Sequence, residues 1–201
     1  MNTKNKILLG IPTNRMIQPQ TMLSLLKLVQ NTKQELVIVL ATNGYTIAEN
    51  RNFLVVQAQK EGCSHLLMID DDMLFPQTML DDLLKHNKDF VGVCAHSRTL
   101  PPMSMVTLFD QEEIPVADRL LGRQKLPTEL FTAKAVGGAV LLLKTSLFDK
   151  VSRPWFANEN YDTGMTRVGE DYYFCNKVVD AGIDIWIDPQ IPIGHIGNYV
   201  Y

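Results

Sequence analysis

The run Leu66-Leu67-Met68-Ile69 ends abruptly in Asp70-Asp71-Asp72, and apolar residues resume at once with Met73-Leu74-Phe75. Few arrangements tolerate this. Three adjacent carboxylates repel one another and lose hydration when buried. They are stable together where a cation or a set of donors sits among them. The four apolar residues read as a short buried strand, which puts the carboxylates at its carboxyl end. In open α/β sheets that edge is where ligands bind.

The flanking pattern supplies such a sheet. Ile7 to Ile11 is a predicted strand stopped by Pro12-Thr13-Asn14, and a helix from Pro19 follows with Met22, Leu25, Leu26 and Val29 on one face. Glu35 to Leu40 is a second strand, and Ile47 to Gly62 a helix striped by Ile47, Leu54, Val55 and Ala58. After the acidic triplet, Pro76 opens a helix that buries Met79, Leu80, Leu83 and Leu84, and Phe90 to Ala95 is a strand. This alternation predicts an α/β fold, a mainly parallel sheet with helices on both faces. Beyond His96 the pattern breaks. Residues 97–130 form a long excursion in which only Met103 to Phe109 reads as strand, and long excursions are often lids or binding loops. Ala135 to Leu143 reads as one buried strand opened by Gly137-Gly138. A loop from Arg153 to Val168, a helix from Glu170 to Ala181, a strand from Asp184 to Asp188 and an irregular tail around His195 complete the chain.

A length of 201 residues suits one domain with a proper core. The net charge of −3, without a basic run, argues against non-specific nucleic-acid binding by the whole surface. Cys63, Cys94 and Cys175 form no CxxC pair and read as reduced thiols. No segment has the length of a signal peptide core or a membrane span, so a cytoplasmic protein is expected.

Several residues carry candidate chemistry. The aspartates at 70–72 offer hard oxygen ligands suited to Mg²⁺ or Mn²⁺. Arg51 falls on the core-facing stripe of its helix, where a charge must find a partner, either an acidic neighbour or a ligand phosphate. Asp171 shares an inward face with Phe174, Cys175 and Val178, in the first turn of its helix. It reads equally as a general base or as an N-terminal cap. His195 differs from His65, His86 and His96 in lying in a Gly-His-Ile-Gly tail, although a lone histidine is usually structural. Gly137-Gly138 permits close approach of a ligand or of packed backbone.

The ordered series Ile11-Pro12-Thr13, Ala48-x-x-Arg51-Asn52, Asp70-x-Asp72 with Phe75-Pro76, Arg98 with Pro101-Pro102, Val136-Gly137-Gly138, Pro154-Trp155-Phe156, Gly169-Glu170-Asp171-x-x-Phe174-Cys175 and Gly194-His195 resembles the GT-A glycosyltransferases. It is similar to the family 2 grouping and to compact phage-type members. The resemblance implies a GT-A, Rossmann-like domain over residues 1–201, with a nucleotide-binding half (1–96) and an acceptor and sugar half (97–201). It implies a nucleotide-diphosphate sugar donor met by Pro12, Thr13, Arg51, Asp70, Asp71, Gly137, Gly138 and Trp155. It implies Mn²⁺ or Mg²⁺ held by Asp72 and His195 with Asp70, and Glu170 and Asp171 at the sugar and the acceptor hydroxyl. An acceptor glycan, lipid-linked sugar, protein side chain or hydroxylated DNA base is compatible with the resemblance; for DNA, Arg98, Arg119, Arg123, Lys125 and Lys134 offer a local basic surface that the acidic total does not support. Two other readings stand beside this one. A non-catalytic nucleotide-sugar or glycan-binding module would keep the same cleft. A sugar-phosphate nucleotidyltransferase normally carries a glycine-rich loop where this chain has Pro12-Thr13-Asn14-Arg15.

Overall fold

The computed structural model describes residues 5–42, 44–109 and 125–197. In chain order the strands are β1 (Lys6–Pro12), β2 (Glu35–Ala41), β3 (His65–Ile69), β4 (Met73–Leu74), β5 (Phe90–Val93), β6 (Val106–Thr107), β7 (Phe131–Ala133), β8 (Ala135–Val136), β9 (Val140–Lys144), β10 (Glu159–Asn160), β11 (Thr166–Val168), β12 (Ile185–Asp188) and β13 (Gly194–His195). The helices are α1 (Pro19–Asn31), α2 (Ile47–Lys60), α3 (Met79–Lys85) and α4 (Glu170–Asp180).

Seven strands form one sheet in the order β2-β1-β3-β9-β5-β12-β7. Its β2-β1-β3 and β5-β12 pairs are parallel. The predicted parallel alternation is interrupted by β9, which inserts antiparallel between β3 and β5, and β7 runs antiparallel to β12 at the edge. Five strands share one direction and two oppose it, which is the mainly parallel, Rossmann-like architecture of the GT-A type. Nothing in the local apolar pattern of 140–144 distinguishes an antiparallel from a parallel central strand, because both are buried on both faces.

Helices cover both faces as expected. Leu25 and Leu28 of α1 and Met79, Leu80 and Leu83 of α3 pack on one face with Leu9, Leu67 and Val140. On the other face, Leu54, Val55 and Ala58 of α2 and Phe174, Cys175 and Val178 of α4 pack with Leu8, Leu66 and Leu141. Phe174 centres an aromatic group, with ring centroids 5.9 Å from Phe90, 5.7 Å from Phe148 and 4.3 Å from Phe156.

Helix α1 is rotated relative to its predicted stripe. Thr21, Ser24, Leu25 and Leu28 are buried, whereas Met22 and Leu26 are exposed. Helix α2 starts at a capping box in which the Thr46 hydroxyl accepts from the Glu49 N–H and the Glu49 carboxylate accepts from the Thr46 N–H. That start fixes its phase and directs Arg51 inward. The predicted strand 135–143 is split into β8 and β9 by Gly137–Ala139. The expected strand Met103 to Phe109 shrinks to β6, which pairs with β8. The tail is not irregular at His195: β13 pairs antiparallel with β4, placing His195 opposite Met73.

Candidate active site

The carboxyl ends of β1 and β3, the start of α4, the segment after β5 and the tail enclose a cleft of about 300 Å³. Pro12, Asn14, Arg15, Ile47, Arg51, Asp70, Asp71, Asp72, Arg98, Met105, Gly138, Glu170, Asp171 and His195 line it. Nine of the twelve residues predicted for the site are therefore at its wall. Thr13 lies just behind the wall. It is buried, and its hydroxyl donates to the Asp71 carboxylate, tying the end of β1 to the acidic turn. Gly137 also lies behind the wall, where its backbone N–H donates to the Met105 carbonyl at 2.8 Å.

Trp155 is the misplaced expectation. Its indole is 3% exposed, packs edge-on against Phe148 and donates to the carbonyls of Val151 and Phe148. The core claims it because the ring is large and apolar and both backbone acceptors lie within reach of its N–H.

The three aspartates face three different environments. Asp70 turns toward Arg51, whose Nη2 donates to it at 2.8 Å. The Arg51 side chain is 2% exposed. It also donates from Nε to Glu170 at 3.3 Å and from Nη1 to the Gly138 carbonyl at 3.3 Å. Burial alone would lower the Arg51 pKa, but the charges of Asp70, Glu170 and Asp171 outweigh it and raise the pKa. Burial raises Asp70 to about 6 against the pull of Arg51, and the neighbouring Asp72, Glu170 and Asp171 add to the rise. Its carboxyl is nonetheless 29% exposed, and that surface opens into the cleft. A glycine is needed at Gly138, because a Cβ there would stand 2.7 Å from Arg51 Cζ and push the guanidinium off its partners. Asp71 serves the end of β1, through its side chain to Thr13 and through its carbonyl, which accepts from Gln18 N–H.

Asp72 faces the opposite wall. Its Oδ1 lies 3.2 Å from His195 Nε2, and its Oδ2 accepts from Arg98 Nη1 at 2.7 Å. Burial would raise the Asp72 pKa, but the His195 hydrogen bond and the charges of His195, Arg98 and Arg15 together lower it. For His195, burial is outweighed by the hydrogen bonds to Asp72 and to the His96 carbonyl, and its pKa is raised. Two features bring the imidazole there: the β4–β13 ladder, and the Ile196 N–H donated to the Asp72 carbonyl at 2.8 Å.

The donor chemistry of this pair fits a hard divalent cation. His195 Nδ1 donates to the His96 carbonyl at 2.8 Å, which in a neutral ring leaves Nε2 with its lone pair directed at Asp72 Oδ1. A lone pair facing a carboxylate oxygen requires a proton or a cation between them. Asp72 Oδ1 and His195 Nε2 are the two atoms that would hold such an ion, and it would supply Lewis acidity there. Among the described residues no three His, Cys, Asp or Glu side chains converge as a complete cage. In particular Asp70, expected as a third ligand, is held instead by Arg51.

Asp171 is fixed by backbone. Its Oδ2 accepts from Gly138 N–H at 3.0 Å and its Oδ1 from Tyr172 N–H at 2.8 Å. It therefore satisfies a first-turn N–H of its own helix and lines the cleft as well. Sequence reasoning missed Asn50, which is 1% exposed and donates to the Thr13 carbonyl and to Asn14 Oδ1 while accepting from Gly44 N–H. It buttresses the loops after β1 and β2. A polar residue one position before the buried Arg51 was the available signal. Among the basic residues considered for a DNA surface, Arg98 lies in the cleft, and Arg119 and Arg123 fall outside the described residues.

No protein-family profile matches the chain, and no curated protein does either. Solved structures do. A197 from STIV superposes with a TM-score of 0.64 at 16% identity, covering 96% of this chain and 86% of its own. The mannose-1-phosphate geranyltransferase from Thermus thermophilus gives 0.56 at 14% identity, over 95% and 76%. The inositol-1-phosphate CTP transferase from T. maritima gives 0.50 at 10% identity, over 97% and 90%. At these identities the likeness is one of fold, and it extends over nearly the whole chain. No helix among the described residues is long and apolar enough to cross a membrane.

Proposed function

We propose that this chain is a divalent-metal-dependent glycosyltransferase that moves one sugar from a nucleotide-diphosphate sugar to an acceptor hydroxyl. Within the shared fold, the resemblance of its motif series to the family 2 grouping supports this reading. One observation carries the reading: Asp72 and His195, 123 positions apart in the sequence, stand 3.2 Å apart at the rim of a cleft whose far wall holds Asp70, Glu170 and Asp171. A bound Mn²⁺ or Mg²⁺ contributes Lewis-acid neutralisation of the departing diphosphate.

The protein's own residues supply the rest. Asp72 and His195 present the open donor pair, and Arg98 and Arg15 add positive charge where the diphosphate lies. Arg51 locks Asp70 and Glu170 so that their remaining oxygens face the sugar. Asp171, oriented by two backbone N–H groups, accepts the proton of the attacking hydroxyl while the bond from the anomeric carbon to the diphosphate breaks.

Incubation with a panel of labelled nucleotide-diphosphate sugars and Mn²⁺ tests this. Slow release of free sugar from one donor, abolished by EDTA, is expected. A second reading, a sugar-phosphate nucleotidyltransferase, draws on the CTP-transferase likeness. Pro12-Thr13-Asn14-Arg15 offers no glycine-rich phosphate loop to support it. Pyrophosphate release from a nucleoside triphosphate and a sugar phosphate, with no donor hydrolysis, would favour that reading instead.

A further inference from the structure

Among the described residues, every exposed large apolar side chain that lies within a helix or strand belongs to three neighbouring elements. These are Met22, Leu23 and Leu26 of α1, Ile38 and Leu40 of β2, and Phe53 and Val56 of α2. The elements are adjacent in space. β2 is the edge strand of the sheet, with Leu36 packed in the layer of α1 and Val37 and Val39 packed in the layer of α2. The opposite edge and the outer faces of α3 and α4 carry no such residue. Scattered exposed leucines are ordinary, but their confinement to one rim is the mark of an interaction surface.

The strand itself lacks the usual protection of an open edge. From Leu36 to Ala41 there is no charge, proline or glycine, and all seven residues of β2 pair in unbroken register with β1. Natural edges of this length are normally blunted by an inward lysine, a proline or a bulge. An unblunted apolar edge is stable in solution when another strand covers it.

We propose that β2 is covered by β2 of a second copy of this chain, in a two-fold dimer with a continuous sheet running through both copies. Self-pairing satisfies the features together. An antiparallel pair centred on Ile38 matches Glu35–Ala41 with its own reverse, so that every residue of the strand finds a partner. Ile38 then lies opposite its copy, and Leu36 opposite Leu40. The two-fold axis stands perpendicular to the sheet, so each face is preserved across it. The exposed Ile38 and Leu40 of both copies meet on the α1 face, flanked by both sets of Met22 and Leu26. Phe53 and Val56 meet their copies on the α2 face. This is the reciprocal contact that a closed two-fold interface requires. The exposed area of these side chains is roughly 600 Å² per copy, so covering all of it in both copies would bury at most about 1,200 Å² before any backbone is counted, the lower end of the range of stable specific interfaces.

Sedimentation velocity across a concentration series tests the inference, with thermal melts alongside. The wild-type chain should sediment as a species of twice the 22.7 kDa chain mass. Ile38→Lys places like charges opposite one another and should weaken association by roughly tenfold or more. Because Ile38 is 53% exposed in one copy, the monomer should keep a cooperative melt. Phe53→Glu, on the other face, should weaken association independently. Register is read with Ile38→Cys and a short bifunctional maleimide, which should yield covalent dimer where wild type does not. A wild-type chain that remains monomeric at high concentration overturns the proposal, whether the edge is bare or awaits a different protein. So does a dimer indifferent to both Ile38→Lys and Phe53→Glu, or one whose Ile38→Cys form fails to cross-link.

Discussion

Asp70 and Asp72 are two residues apart, have the same side chain and meet opposite fates. Asp70 belongs to a closed network. Its partner Arg51 is buried, its neighbours Gly138 and Glu170 are fixed on other elements, and each guanidinium nitrogen is directed at an oxygen or a sulfur. Asp72 belongs to an open one. Arg98 is 43% exposed and rests on a loop, while His195 arrives from the tail. The difference teaches what each carboxylate is for. A buried cation surrounded by carboxylates holds three elements together and cannot leave. A half-exposed cation on one oxygen can swing away without unfolding anything, while the imidazole on the other stays held by the β4–β13 ladder and the His96 carbonyl.

The sharpest way to break this contrast is Arg51→Ala. It strands Asp70 and Glu170 without their buried partner and should cost about 3–5 kcal/mol of stability by urea denaturation. A cost under about 1 kcal/mol would place Arg51 in the exchangeable class. Next comes Asp171→Asn, expected to lower kcat by about a hundredfold or more, with donor KM little changed, because the proposed function makes the lost group its general base. Equal loss of kcat and donor affinity would leave Asp171 as a cap alone. Arg98→Ala should weaken nucleotide-diphosphate binding by roughly tenfold, while stability shifts by no more than about 1 kcal/mol, as suits an exposed ion pair.

The smallest effect is in pH. The His195 pKa is raised in the folded state, so the stabilisation from its protonated form is fully present below its unfolded value and is lost as pH rises through the folded one. In metal-free protein, His195→Gln should therefore lower the melting temperature more at about pH 6 than at about pH 9. A loss that is equal at both would show that the imidazole is not charged beside Asp72.

The same contrast explains how much the sequence reveals. Apart from the two-residue β4, the elements up to β5 are legible because each longer strand is followed at short range by the helix that covers it, although the helix expected to open at Pro76 starts only at Met79 and the apolar period misplaces the buried stripe of α1. Arg51 and Asp171 are legible as inward positions by spacing alone, and Asp70 as a carboxylate at the carboxyl end of a strand. The direction of β9 is not, since pairing partners for a fully buried strand leave no trace in its own residues. The β4–β13 pairing is not legible either, because a two-residue ladder between segments so far apart in the chain has no periodicity to read. Family resemblance, and not spacing, is therefore what puts His195 near Asp72 from sequence. Trp155, which the resemblance implies at the donor, lies instead in the core, and nothing in its own neighbourhood in the sequence separates the two positions.

The most direct test of the account is calorimetric titration of nucleoside diphosphates into wild-type protein and Asp72→Asn, each with and without Mn²⁺. The account predicts that one diphosphate binds wild type only when Mn²⁺ is present, and that Asp72→Asn loses this binding while keeping its melting temperature within a few degrees. Binding that is indifferent to both Mn²⁺ and Asp72, or no binding by any diphosphate tested, would contradict it.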